Sequence, residues 1–395
     1  MPRVERIAAG QALRCRASRG SHAGWHAPAK RADPIRLLVE SSRGRVPELV
    51  PVRYARMLQS PLAFFRGALP IMAADLAHTP VSGLRAQICG DCHLLNFGGF
   101  TTPERRVVFD VNDFDETLPA PWEWDVKRLA ASVAVAGLAN GFHKAAAREA
   151  AERCVRSYRR HIHEAAGTSV LERWCARIDV EDVLGLMSRT LKRRMDREVR
   201  REIAGETSEH DFPRLVRMTK SHARIKDHPP LIVHLARTGR GRGTELAARE
   251  AFRRYRASLA DDRRALVERF ELQDVAMKVV GVGSVGTRCV ILLLHDGDGG
   301  ALFLQMKEAR TGILEPYAGR SVYANRGQRI VAGHRLMQTA SDVFLGWTEY
   351  RGMHFYVRQL RDARIAPRVD GLRPGELAVY AECCGWALAR AHAKA

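Results

Sequence analysis

Residues 89–125 gather acids and an amide in a pattern suited to phosphoryl transfer. The run Cys89-Gly90-Asp91-Cys92-His93-Leu94-Leu95-Asn96 sets an acid shortly before an amide. A short apolar run, Val107-Val108-Phe109, then leads into Asp110, Asp113 and Asp115. Acids beside a buried strand are costly unless they are paired or bound to a metal. Phosphoryl transfer uses one acid to take or orient the nucleophile's proton. An amide and a further acid hold magnesium against the phosphates.

A second constellation lies far along the chain. Gly281-Val282-Gly283-Ser284-Val285-Gly286 is a full G-x-G-x-x-G. A dinucleotide-binding fold requires a helix after such glycines. The β-run Arg288-Cys289-Val290-Ile291-Leu292-Leu293-Leu294 follows instead. Strand, glycines, strand is the arrangement of a kinase-type phosphate flap, whose glycines let backbone N–H groups approach phosphates. The next strand ends at Lys307, where a kinase places the lysine that meets the nucleotide phosphates.

The order Gly-Asp-x-His-x-x-Asn, a short strand, Asp-Phe-x and a later Trp124-Asp125 resembles the catalytic segment of aminoglycoside and choline phosphotransferases. The chain is also similar, from about Ser60 to its C-terminus, to the DUF2252 family of bacterial proteins. That similarity rests on Ser60-Pro61-Leu62-Ala63-Phe64-Phe65-Arg66-Gly67, on the central segment, and on Gly333-His334-Arg335-Leu336-Met337-Gln338. The resemblance implies an α+β, bilobal protein-kinase-like fold in permuted order, because the catalytic segment precedes the glycine flap. Leu388-Ala389-Arg390-Ala391-His392 resembles the helix that leads into the catalytic loop in the unpermuted order. It also implies a longer C-terminal tail than this chain has, with consequences for packing or activity.

The implied roles follow residue by residue. Asp91 is the base or orienting acid, and His93 belongs to the catalytic loop, where it braces more often than it transfers protons. Asn96 and Asp113 bind the metal, with Asp115 or Asp110 as a second acid. Gly281, Gly283, Ser284 and Gly286 cover the phosphates of ATP, and Lys307 holds them. Asp125 braces the loop. A kinase-like helix should also offer a glutamate to the lysine, but the stretch 326–340 contains none; Glu308 and Glu315 are the nearby alternatives.

Cys89-Gly90-Asp91-Cys92-His93 is literally C-x-x-C-H, the haem c attachment signature, and the same residues could contribute to a zinc site. No apolar leader precedes it, and no second cysteine pair lies nearby. Two buried cysteines carrying neither haem nor zinc are expected. The chain has 395 residues, 46% of them hydrophobic and 27% charged, and 8 scattered cysteines. Such a chain can bury a large core in two lobes, and its thiols are expected to be reduced in a cytoplasm. No apolar run reaches the length of a membrane span. The net charge of +20 permits anionic partners, but the arginines are spread along the chain.

The expected organisation is a flexible basic arm at 1–33, a mainly helical catalytic lobe at 34–271, an antiparallel β nucleotide-binding lobe at 272–362, and a returning helix at 363–395. Within it, Pro70 should split the helical stretch 63–76. Helices are expected at 145–163, 183–203, 245–271, 326–340 and 374–394. Strands are expected at 274–280, 287–294, 301–307, 343–347 and 354–360. Arg66 either caps or pairs with an acid, or reaches a phosphate. The leading functional expectation is an ATP- and magnesium-dependent transferase acting on a small-molecule or protein hydroxyl, with nucleotidyl transfer as a related option. The rivals are a nucleotide-binding pseudoenzyme or regulatory module, and a polyanion-binding protein built on the arginine-rich helices. Nucleic acid is not the favoured partner.

Overall fold

The computed structural model describes residues 2–205, 215–218, 223–229, 231–234, 241–279, 281–298, 300–360, 365 and 368–395. The chain folds as a mixed α+β protein with antiparallel sheets. Among the described residues no helix is long and apolar enough to cross a membrane.

The first part is helical, and its breaks have local causes. Asp33 caps Pro34–Ser41 by accepting from Ile35 N, and Ser60 caps Pro61–Gly67 by accepting from Ala63 N. Pro70 sits in the first turn of a new helix, Leu69–Leu76, as expected from a residue that lacks an N–H and is tolerated there. Arg3–Ala12 is also helical, within the stretch expected to be a flexible arm. Arg31 pairs with Asp75 at 2.7 Å, tying the end of that stretch to the Leu69–Leu76 helix.

Four short strands follow. β1 (Arg85–Ile88) pairs antiparallel with β4 (Leu118–Pro121), and β2 (Phe97–Thr101) pairs with β3 (Val107–Val111). All five β3 residues are buried, so this strand carries its acid, Asp110, into the interior. The helices Trp122–Ala139 and Lys144–Ala165 come next. The expected helix at 183–203 is instead two, Val180–Gly185 and Arg189–Gly205, with Ser188 accepting from Leu191 N in the gap.

β5 (Val216–Met218) and β6 (Ala223–Ile225) form a separate pair. The helix expected at 245–271 resolves into Gly241–Arg256 and Asp261–Val267. Acids at Asp261 and Asp262 favour a new N-terminus there.

A six-stranded sheet then runs in the order β11-β12-β10-β9-β8-β7. Its strands are β7 (Ile232–Val233), β8 (Glu271–Lys278), β9 (Cys289–His295), β10 (Ala301–Ala309), β11 (Gly346–Tyr350) and β12 (Met353–Gln359), and every pairing is antiparallel. β9 is buried along nearly its whole length, consistent with its central place and its Val-Ile-Leu-Leu-Leu composition. The helix Arg326–Met337 lies against this sheet. The C-terminal helix, Pro374–Lys394, packs on Lys144–Ala165 and buries Leu377, Tyr380, Cys384 and Leu388 in the largest core.

Candidate active site

The loop after β1 is fixed from three sides. Gly90 has φ +86°, and a Cβ there would sit 2.3 Å from the carbonyl oxygen of Glu116. Only glycine satisfies both the backbone and the contact. Asp125 is fully buried and accepts from Cys89 N at 2.8 Å, Gly90 N at 3.0 Å and Cys89 Sγ at 3.1 Å. His392 Nε2 lies 3.3 Å from the same carboxylate, and Tyr380 Oη donates to Leu94 O at 2.8 Å. The C-terminal helix therefore holds the loop that Asp125 braces.

Asp91 receives a 2.6 Å hydrogen bond from Arg128 Nε, and Arg128 is fully buried. The same guanidinium donates to Phe65 O at 3.1 Å. Asn96 spends Nδ2 on Asp91 O at 2.7 Å, which orients its side-chain oxygen as a candidate donor to a cation. His93 Nε2 is 4.0 Å from Asp91 Oδ2. Burial lowers the His93 pKa to about 4, so the ring is neutral at physiological pH.

The acids after β3 divide by environment. Asp110 is completely buried and accepts from Arg390 Nη2 at 2.6 Å and Thr339 N at 2.8 Å. It joins the two segments structurally and does not line the cleft, so of the two second-acid candidates only Asp115 remains at the site. Asp113 accepts from Asp115 N at 3.2 Å and does line the cleft. Asp115 is where the distant halves meet. Its Oδ2 pairs with Lys307 Nζ and accepts from Ser284 Oγ at 3.2 Å, while its Oδ1 accepts from Tyr356 Oη at 2.8 Å. Burial opposes the charge on Lys307, but the Asp115 carboxylate outweighs it and holds the ammonium above its ordinary pKa.

The glycine turn between β8 and β9 is pinned from outside. Arg45 Nη1 donates to Val285 O at 2.6 Å, and Val46 N donates to Gly286 O at 2.8 Å. Gly286 has φ +87°, which closes the turn. A Cβ on Gly283 would lie 3.9 Å from Asp91 Oδ2, so the turn overhangs Asp91 as well as Asp115. Asp91, His93, Asn96, Asp113, Asp115, Gly281, Gly283, Ser284 and Lys307 line one cavity of about 690 Å³, whereas Gly286, Asp110 and Asp125 do not.

Several residues in or behind this cleft were not assigned from the sequence. Arg128 follows Asp125 by one helical turn, a spacing that put it on the same face. Arg329 of the Arg326–Met337 helix donates to Thr117 O at 2.7 Å and Asp115 O at 2.8 Å, fixing the acid-bearing loop where a glutamate had been sought. Glu116 accepts from Ile313 N at 2.6 Å, and burial pushes its pKa up to about 7. It was visible in the run Asp113-Phe114-Asp115-Glu116, but its environment was not.

Asn96, Asp113 and Asp115 offer hard oxygen donors suited to magnesium, and Lys307 offers a cation for phosphates. The donor set therefore fits a magnesium–nucleotide. Ligand atoms of Cys89, Cys92 and Asp125 lie within 4.8 Å of one another. Burial raises the Cys92 thiol to about 11 and Cys89 further, so both are protonated thiols at neutral pH. All 8 cysteines are free.

A family model described as "Uncharacterized protein conserved in bacteria (DUF2252)" matches residues 45–395. No curated protein and no solved structure matches the chain.

Proposed function

The chain belongs to the DUF2252 family, and on that premise we propose that it is an ATP- and magnesium-dependent phosphotransferase with a permuted kinase-like fold. The observation that carries this reading is the convergence on Asp115. Lys307 from β10 and Ser284 from the glycine turn both reach it, and it shares one cavity with Asp91, Asn96 and Asp113. A flap, a lysine and a loop of hard donors in one cleft are the parts that phosphoryl transfer requires. The contact of His392 with Asp125 supports the permuted order, because it sets the end of the chain beside the loop that an unpermuted chain would enter next.

Asp91 accepts the proton of an acceptor hydroxyl, whose oxygen bonds to the terminal phosphorus as the bridging P–O bond to ADP breaks. Arg128 holds the Asp91 carboxylate in place. Asn96 and Asp113 would hold magnesium, with Asp115 as the further acid, and the ion would neutralise charge on the phosphates. Lys307 would give up part of its pairing with Asp115 to meet the phosphates beneath the glycine turn. Catalysis in such a site is mainly positioning and charge neutralisation.

The acceptor is a hydroxyl on a small molecule or protein. The test is incubation of the full chain and magnesium with candidate acceptors and ATP labelled at either the α- or the γ-phosphate. Transfer of the γ label supports the reading. Transfer of the α label would replace it with nucleotidyl transfer. Tight nucleotide binding without any transfer would assign a nucleotide-binding module instead.

A further inference from the structure

One cavity residue that the proposed machinery does not use is Arg66, in the Phe-Phe-Arg-Gly run. It ends the helix Pro61–Gly67 and lines the same cavity. Its Nε is buried and has no hydrogen-bond partner among the described residues. A Cβ on Gly281 would lie 3.4 Å from Arg66 Nη2, and a Cβ on Gly283 would lie 3.7 Å from Arg66 O. The guanidinium is therefore beneath the glycine turn. Burial lowers the pKa of the Arg66 guanidinium, and the Asp91 and Asp113 carboxylates offset this only in part.

The backbone on either side of Arg66 is clamped. Arg128 Nη2 donates to Phe65 O at 3.1 Å, and Arg53 Nη2 donates to Gly67 O at 3.0 Å. Both clamping arginines are buried, and Arg128 also grips Asp91. One side chain thus sets the spacing between Asp91 and the carbonyl preceding Arg66. A buried guanidinium nitrogen without a partner, on a backbone held this firmly, is an incomplete hydrogen-bonding arrangement. Planar guanidinium donors match phosphate oxygens, and charge-assisted bonds of this kind are the strong ones.

We infer that Arg66 binds the terminal phosphate of the nucleotide, as a second cation opposite Lys307 at the reacting phosphorus. The inference rests on the phosphotransferase reading and goes beyond it by naming a residue that distinguishes the transferred group from the leaving group. Lys307 then serves the phosphates of ATP and ADP alike, and Arg66 serves the one that departs. Arg66 is a catalytic residue in this sense, because it touches the reacting group.

The test is calorimetric titration of magnesium-ATP and magnesium-ADP into the wild-type chain, Arg66→Ala and Arg66→Lys, with thermal melting of each. A charge-assisted hydrogen bond implies a loss of about 10- to 100-fold in ATP affinity for Arg66→Ala. ADP affinity should be unchanged, Arg66→Lys should recover part of the ATP affinity, and the melting temperature should not fall. Equal weakening of ATP and ADP, or no change in either, overturns the assignment of Arg66 while wild-type binding still upholds the nucleotide site. A wild-type chain that binds neither nucleotide overturns both.

Discussion

Lys307 and Asp115, separated by 192 positions, form an ion pair in which the lysine side chain is only 6% exposed. The pair joins the central sheet to the loop after β3. Tyr356 and Ser284 bind the same carboxylate, so removing it leaves a buried ammonium without its main counter-charge. Asp115→Ala should destabilise the fold by about 3–5 kcal/mol in urea unfolding, whereas Asp115→Asn, which keeps the hydrogen-bond acceptor, should cost less. Equal stability of both variants with wild type would mean that the pair contributes nothing.

Glu116 lines the cleft and titrates near 7. Below that pH it is neutral, and above it an anion is added to the cavity proposed to receive phosphates. Magnesium-ATP affinity should therefore decline as pH rises from about 6 to 8, and Glu116→Gln should flatten the decline. A wild-type titration that is level across this range, or one that Glu116→Gln leaves unchanged, would contradict the role.

Acid stability follows from buried rings. Burial lowers the pKa of His93 and His334 from 6.5 to about 4. The unfolded chain binds these protons more readily, so stability is present above pH 6.5 and is lost as pH falls towards 4. Each ring accounts for about 3 kcal/mol. Glu116 acts in the opposite sense over part of this window, because its folded pKa is raised from 4.5 to about 7. Two rings against one carboxyl leave a net loss in acid. Denaturant midpoints at pH 7 and pH 5 measure it, and His334→Gln should reduce the difference.

Arg390 holds Asp110, and both side chains are almost wholly buried, at 4% and 0% exposure. Arg390→Ala strands a charge in the core and should cost about 3–5 kcal/mol. Urea unfolding checks this; a cost below about 1 kcal/mol would show that Asp110 is satisfied by its backbone donors alone.

Much of the fold was legible from local chemistry. Pro374 at the start and an unbroken apolar stripe fixed the last helix at the observed Pro374–Lys394. Pro70 marked a real helix boundary, and the continuous apolar run after the glycines marked β9. Helix breaks near Leu186 and Ala257 were missed, because arginine-rich amphipathic patterns continue across them while capping residues end the helices. At the site, residue types were legible but partners were not. Asp115, just beyond Asp113, makes the direct contact with Lys307. Spacing along a loop does not say which acid turns towards a strand from the other half. Arg66 was visible as the odd member of an apolar run, but its clamping by Arg53 and Arg128 exists only in three dimensions.

The most direct test of the nucleotide site is titration of ATP into the full chain with and without magnesium, alongside Lys307→Ala and Asp113→Ala, with melting curves to establish folding. The account predicts saturable, magnesium-dependent binding by the wild-type chain, loss of affinity of at least about 10-fold in Lys307→Ala, and loss of the magnesium dependence in Asp113→Ala. Absence of binding by a folded wild-type chain, or binding that both variants retain in full, would contradict it.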